Sequence, residues 1–404
     1  MVMMADVVER MQNDFANQLE EANACLRAGD LTGAVNVYSK ILRQDPLYLP
    51  AHIGLAYINL KLKKFPAVID DCTRMLVMAG DNQHLYLLRG KANFALGYAN
   101  RALQDYNNAL RLDPHLGPAY FNRARAYLAT GDHRIALADL CKAIENGSDT
   151  PQVYLTRANT YFALRDYHNA RRDYTCVISR DEQNAPAYLC RGQVHFAMHH
   201  YATAVSDYTR AAELEPENPK IFYHRGLAHM ALEKYQPALD DFNHAVEMAP
   251  FDSEHYVQRA IVQNQLGQYQ EAIADCTQAI SWDEACAEAY LARAIAYNVV
   301  GRFEEAIADC TRAIELDPRD SKAYVNRAIA RNELNDQEGA IDDCTRALQV
   351  NPDDAGAYYN RGIARSAAGD RQGSRDDLAK AASLYFMQGD AAKYDMATQA
   401  ANRV

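Results

Sequence analysis

Arginine returns at a constant interval nine times in succession, at Arg89, Arg123, Arg157, Arg191, Arg225, Arg259, Arg293, Arg327 and Arg361. Aspartate keeps the same interval ten times, at Asp71, Asp105, Asp139, Asp173, Asp207, Asp241, Asp275, Asp309, Asp343 and Asp377. A planar guanidinium suits a carboxylate bidentately. The two rows therefore read either as an anion site or relay, or as an internal ion-pair ladder that fixes helix register. The ladder is the expectation. Each Arg can pair with the Asp that follows it or with the one before; the first choice leaves Asp71 over and the second leaves Asp377.

Histidines supply the next candidate chemistry. His195, His199 and His200 cluster, and His229 stands one interval after His195. His195 and His199 are four apart, a spacing that puts both on one helical face and could hold a metal. Elsewhere the same place in the interval carries an aromatic residue of packing type, Tyr127, Tyr161 or Tyr297, so no metal site is expected. The sequence has no phosphate loop, nucleophile elbow or metal-spaced Cys/His set. Neither enzymatic activity nor a cofactor is expected.

The elements that must carry these residues obey the same period of 34. The register opens at Phe15 and restarts at Leu49, Gln83, Gly117, Pro151, Ala185, Pro219, Ser253, Ala287, Ser321 and Ala355, without insertion or deletion. A period of this length marks a single supersecondary unit that stacks on its neighbours. In residues 287–320, Tyr290, Ala294 and Tyr297 lie at helical spacing. Gly301 then breaks the segment. Phe303, Ala306, Ile307, Cys310, Ala313 and Ile314 mark a second amphipathic helix that Pro318 ends. Each unit is a helix hairpin. Counting from the first residue of each unit, position 8 is Gly or Ala in all eleven and position 20 is Ala in nine, so the two helix backbones can approach closely. Position 4 is Tyr in eight units and Phe222 in another.

Composition is that of an ordinary folded protein, with 49% hydrophobic and 24% charged residues. No run is apolar for long enough to span a membrane, and the N-terminus lacks the basic-then-apolar order of a secretory signal. Cys72, Cys276, Cys310 and Cys344 share one repeat position with Tyr106, Tyr174, Tyr208 and Phe242. They read as buried filler in a reducing, cytoplasmic compartment. Trp282 stands where Leu or Met otherwise packs and is expected in the core. The net charge of −11 is uneven. Residues 49–184 hold 17 basic and 13 acidic side chains, whereas residues 185–388 hold 19 and 31. The acidic total argues against nucleic-acid binding.

An aromatic at position 4, small residues at 8 and 20, an aromatic or Cys at 24, and Pro at 32 (Pro46, Pro114, Pro216, Pro250, Pro318, Pro352) resemble the tetratricopeptide repeat family over residues 15–388. The resemblance implies an all-α, right-handed superhelical solenoid of antiparallel helix pairs, with a concave groove lined by the first helix of each pair. It also implies protein or peptide binding. The expected units are 15–48, 49–82, 83–116, 117–150, 151–184, 185–218, 219–252, 253–286, 287–320, 321–354 and 355–388. Residues 1–14 form an N-terminal cap segment and residues 389–404 a C-terminal capping helix.

In that family, positions 2, 5, 6, 9, 12 and 13 face the groove. The implied ligand-binding residues fall in two zones. A polar, more basic zone has Lys91, Asn122, Arg125, Asn159 and Gln193. An apolar zone follows, with Tyr223, Leu227, Val257, Ile261, Leu291, Ile295, Val325, Ile329, Tyr359 and Ile363, beside an amide row of Asn264, Asn298 and Asn332. A peptide could lay apolar side chains on the strip, bond its main chain to the amides and set an acidic end at Lys91 and Arg125. Alternatively, the strip packs between neighbouring helices. One subclass of the family grips acidic chaperone tails through Lys at position 5, which no unit here has. The expected function is a scaffold or adaptor for a protein or peptide partner. The alternative is a structural repeat protein that assembles with itself as a homo-oligomer.

Overall fold

The computed structural model describes residues 2–404, with side chains from residue 14 onward. Helices are the only regular elements among them. The chain divides into two compact units, Met1–Met198 and His199–Val404. The first holds α1 (Val2–Arg27), α2 (Leu31–Gln44), α3 (Leu49–Lys61), α4 (Phe65–Met78), α5 (Gln83–Ala95), α6 (Ala99–Leu112), α7 (Gly117–Ala129), α8 (His133–Glu145), α9 (Pro151–Ala163), α10 (Tyr167–Arg180) and α11 (Ala185–Ala197). The second holds α12 (Tyr201–Leu214), α13 (Pro219–Ala231), α14 (Tyr235–Met248), α15 (Ser253–Gln265), α16 (Tyr269–Trp282), α17 (Ala287–Val299), α18 (Phe303–Leu316), α19 (Ser321–Glu333), α20 (Gln337–Val350), α21 (Ala355–Ala367), α22 (Arg371–Met387) and α23 (Ala391–Arg403). From α3 onward, every first helix begins on the residue that opens its repeat.

Local chemistry sets these boundaries. The residue before a first helix is often Asn or Asp. Asn82, Asn218, Asp252, Asp320 and Asp354 each accept from an early backbone N–H. Position 15 has positive φ in all eleven repeats and turns the chain into the second helix. Glycine takes that place in six repeats, where the left-handed conformation costs nothing. Lys63, Arg165, His199, Glu233 and Asn335 adopt it without that freedom. His199 is therefore in the turn, two residues beyond the end of α11, and its Nδ1 faces the Tyr201 hydroxyl at 2.7 Å. The helical i, i+4 face expected for His195 and His199 does not form. Among the described residues no three His, Cys, Asp or Glu side chains gather at metal-binding distance.

Small residues make the hairpins close. The side chains at positions 8 and 20 are buried throughout each unit, Ala158, Ala170, Ala294 and Ala306 completely. A Cβ on Gly226 would lie 2.8 Å from the Phe242 ring, and one on Gly90 2.6 Å from the Tyr106 ring. At these two positions a Cβ would run into the ring at position 24, which favours glycine there. Where Ala returns at 8, as in Ala260, Ala294 and Ala328, Cys276, Cys310 and Cys344 fill the space. Burial pushes the Cys310 and Cys344 thiols up to about 12, as expected of apolar filler.

At the C-terminal end, α23 packs on α22 through Ala397, against Ala381, Ala382, Leu384 and Tyr385. The expected N-terminal cap, residues 1–14, lies almost wholly outside the residues whose side chains are described. Among the described residues no helix is long and apolar enough to cross a membrane.

Candidate ligand-binding groove

In eight described rungs the arginine and aspartate rows meet within the repeat. Arg89, Arg123, Arg157, Arg225, Arg259, Arg293, Arg327 and Arg361 each pair with the Asp sixteen residues on. The Arg259 rung is representative. Its Nε donates to Asp275 Oδ2 at 2.7 Å and its Nη2 to Oδ1 at 2.7 Å. Its Nη1 reaches back to the preceding repeat, donating to Asn243 Oδ1 at 3.0 Å. The guanidinium carbon lies 5.2 Å from the Tyr256 ring, which is position 4 of the same repeat. The backward contact recurs at one sequence position, on Thr73, Asn107, Thr209, Thr277, Thr311 and Thr345. One arginine therefore ties two successive second helices and the aromatic of its own first helix, which fixes the stacking of neighbours. On each of these eight arginines Nε, Nη1 and Nη2 all face acceptors within the repeats, the arrangement of a structural ion pair.

The ends of the ladder are modified. Asp71 has no arginine at position 7 to meet, because Leu55 is there. It instead contacts Arg74 and His52 Nδ1, the latter at 3.1 Å. In the last two repeats a second arginine joins the carboxylate. Arg331 Nη1 lies 2.9 Å from Asp343 Oδ2 and Arg365 Nη1 lies 2.8 Å from Asp377 Oδ2.

The apolar strip of the second unit is internal only in part. Val257 and Leu291 are buried in clusters with Ala279, Ala289, Ala313 and Ala323. Tyr223 is buried too, and its hydroxyl donates to Glu254 at 2.5 Å. Leu227, Ile261, Ile295, Val325, Ile329, Tyr359 and Ile363 are half-buried. The amide row is engaged between repeats. Asn264, Asn298 and Asn332 donate across to the backbone carbonyls of Ala292, Asn326 and Asn360 in the next first helix, at 2.8, 3.0 and 3.3 Å. These bonds staple neighbouring repeats and leave fewer donors for a peptide.

The first unit is different. Two cavities of about 610 and 630 Å³ adjoin along its first helices and share Tyr57, Lys91 and Pro118. Leu26, Ile53 and Leu87 floor the first cavity. Leu60, Phe94 and Phe121 wall the second. Lys91 and Arg125 both project into the second cavity, with Lys61 at its rim. Arg125 stacks on Phe94 and Phe121, at 5.3 and 5.9 Å. Burial, and then the neighbouring Arg125 guanidinium, hold the Lys91 ammonium below its usual range. No described carboxylate lies within ion-pair distance of either cation. Asn122 is buried and donates to its own helix, at Pro118 O. Asn159 accepts from the Tyr174 hydroxyl at 2.6 Å, and Gln193 is half-buried. Sequence reasoning did not include Tyr57, Phe94 and Phe121; their bulk on the groove-facing first helices was the available signal.

Tandem helix pairs with an open groove on their first helices define a class of protein-interaction scaffolds. Models of the tetratricopeptide repeat match residues 19–83, 83–116, 117–146, 151–184, 189–253, 254–286 and 287–320. The chain belongs to the tetratricopeptide repeat family. It is 32% identical over 97 residues to RNA polymerase II-associated protein 3 of Mus musculus, a stretch covering 24% of this chain and 14% of that protein. It is 32% identical over 72 residues to the peptidyl-prolyl cis-trans isomerase FKBP4 of Bos taurus, covering 18% and 16%. The matches thus span only about one seventh of such relatives. Among solved structures, the APC/C hetero-tetramer Cut9–Hcn1 aligns with a TM-score of 0.53 at 14% identity, over 96% of this chain and 89% of that one. A tetratricopeptide repeat protein from Parabacteroides merdae aligns with a TM-score of 0.52 at 20% identity, over 61% and 98%. These likenesses support the fold.

Proposed function

We propose that the chain is a non-enzymatic interaction scaffold that takes a peptide or protein ligand on the first helices of its first unit. An acidic group of the ligand sits between Lys91 and Arg125, and its apolar side chains fill the adjoining cavities. The observation that carries this reading is Lys91, a half-buried ammonium beside a guanidinium with no carboxylate in reach. An arrangement serving stability alone would pair or replace that charge. The surrounding rings supply the apolar contact area that peptide grooves use. Buried thiols used as filler fit a reducing, cytoplasmic setting. Panning a random peptide library against the wild type should enrich sequences that place Asp or Glu beside a bulky apolar residue. The double variant Lys91→Glu/Arg125→Glu should lose that enrichment. Equal enrichment on both proteins would refute the reading.

Self-assembly is favoured by one observation, the exposure of Phe386 and Met387 (71% and 68%) at the C-terminal end of α22. Light scattering across a concentration series tests it. A mass that rises with concentration, and no longer does so in Phe386→Ser, supports self-association; a constant monomer mass removes it.

A further inference from the structure

Phe251, Tyr256 and Trp282 gather on an edge of the second unit, where one repeat passes into the next. Trp282 ends α16, Phe251 lies in the turn before α15, and α15 carries Tyr256. The Trp282 ring meets Tyr256 edge-on with centroids 4.9 Å apart and Phe251 at 6.0 Å. Trp282 is 36% exposed and Phe251 82%. This overturns the expectation that Trp282 packs in the core. Met78, Leu112 and Val350 hold the same repeat position and are exposed as well, so this is a place on the edge of the repeat and not in its core.

The charge around these rings has one sign. Between Lys234 and Arg302 the sequence has ten carboxylates and only two cationic side chains, Arg259 and Arg293. Both arginines are held by the ladder, on Asp275 and Asp309. Asp252 follows Phe251 in sequence, and Asp283 and Glu284 follow Trp282; all three are exposed. Among the described residues, neither Asp283 nor Glu284 has a cation within ion-pair distance.

The same edge in the first unit already holds a cation. There Arg180 occupies the place of Trp282, Tyr154 that of Tyr256 and Asp149 that of Phe251. The Arg180 guanidinium lies 4.8 Å from the Tyr154 ring and 2.9 Å from the Asp149 carboxylate. In the second unit the rings and carboxylates are present, Arg259 lies over Tyr256, and no described cation meets Phe251 or Trp282.

We propose that this edge docks an arginine-bearing segment of a partner protein. The guanidinium stacks on the exposed faces of Phe251 and Trp282, flanked by the carboxylates of Asp252, Asp283 and Glu284. The surface is separate from the groove of the first unit and opposite to it in sign, so one chain can engage two partners of different chemistry.

Trp282 is the single tryptophan of the chain, so its emission reports this edge alone. Full-length protein is titrated with an end-blocked oligo-arginine peptide, and in parallel with oligo-citrulline, which keeps the shape and loses the charge. The arginine peptide should change the emission saturably and the citrulline peptide should not. Phe251→Ser and Glu284→Lys alter exposed side chains and should each weaken the response by about tenfold. An arginine response that both variants leave intact, an equal response to citrulline, or no saturable response would overturn the proposal.

Discussion

Arg259→Ala is expected to cost about 3–5 kcal/mol of folding stability. The side chains of Arg259 and Asp275 are only 17% and 10% exposed, and the two make a bidentate pair. Removing the guanidinium strands the Asp275 carboxylate, loses the tie to Asn243 in the preceding repeat and uncovers the Tyr256 ring. The same change at Arg361 should cost distinctly less, because Arg365 Nη1 remains 2.8 Å from Asp377. Replacing Arg259 and Asp275 together by leucines should recover much of the loss, since the large cost lies in an unpaired buried charge. Urea unfolding followed by circular dichroism measures all three. A loss below about 1 kcal/mol for Arg259→Ala would mean that the pair behaves as a solvated surface salt bridge.

Lys91→Met is expected to stabilise the fold at neutral pH, by about 0.5–2 kcal/mol, the range of substitutions that relieve a local conflict. Burial and Arg125 lower the Lys91 pKa in the folded chain. Between that lowered value and the ordinary 10.5, the unfolded chain binds more protons than the folded one, so wild-type stability rises with pH. Below the window the penalty is complete, and above it the ammonium is neutral in both states. The advantage of Lys91→Met should therefore shrink as pH approaches 10.5. Urea midpoints of both proteins across the alkaline range test this. An advantage independent of pH would point to packing instead of charge.

Most of the architecture was legible because each repeat repeats its own instructions. The restart of every first helix on the residues named by the period follows from caps, a left-handed turn and small contact residues that recur in register. The candidate site was legible only in part. Lys91 and Arg125 stand out as cations at a groove position, yet their significance depends on having no carboxylate within reach, which no spacing reveals. The direction of the Arg–Asp pairs was open because both neighbours of each Arg along the period are Asp. The asparagine row misled because a groove-facing amide can bond a ligand or the next helix, and the carbonyls of Ala292, Asn326 and Asn360 are near enough to take the donors. Trp282 misled because an apolar residue type does not by itself mark a packed position: Met78, Leu112 and Val350 stand at the same place in their repeats and are exposed too.

The most direct test of the groove is a pair of measurements on Lys91→Met: its urea midpoint, and its affinity for an acidic peptide selected by the wild type. A charged hydrogen bond to a carboxylate contributes about 1.5–3 kcal/mol, roughly tenfold to hundredfold in Kd. A residue kept for a ligand at the expense of the fold predicts opposite signs, a more stable protein that binds tenfold to hundredfold more weakly. A variant that binds the peptide as well as the wild type, or that loses stability, would contradict the account.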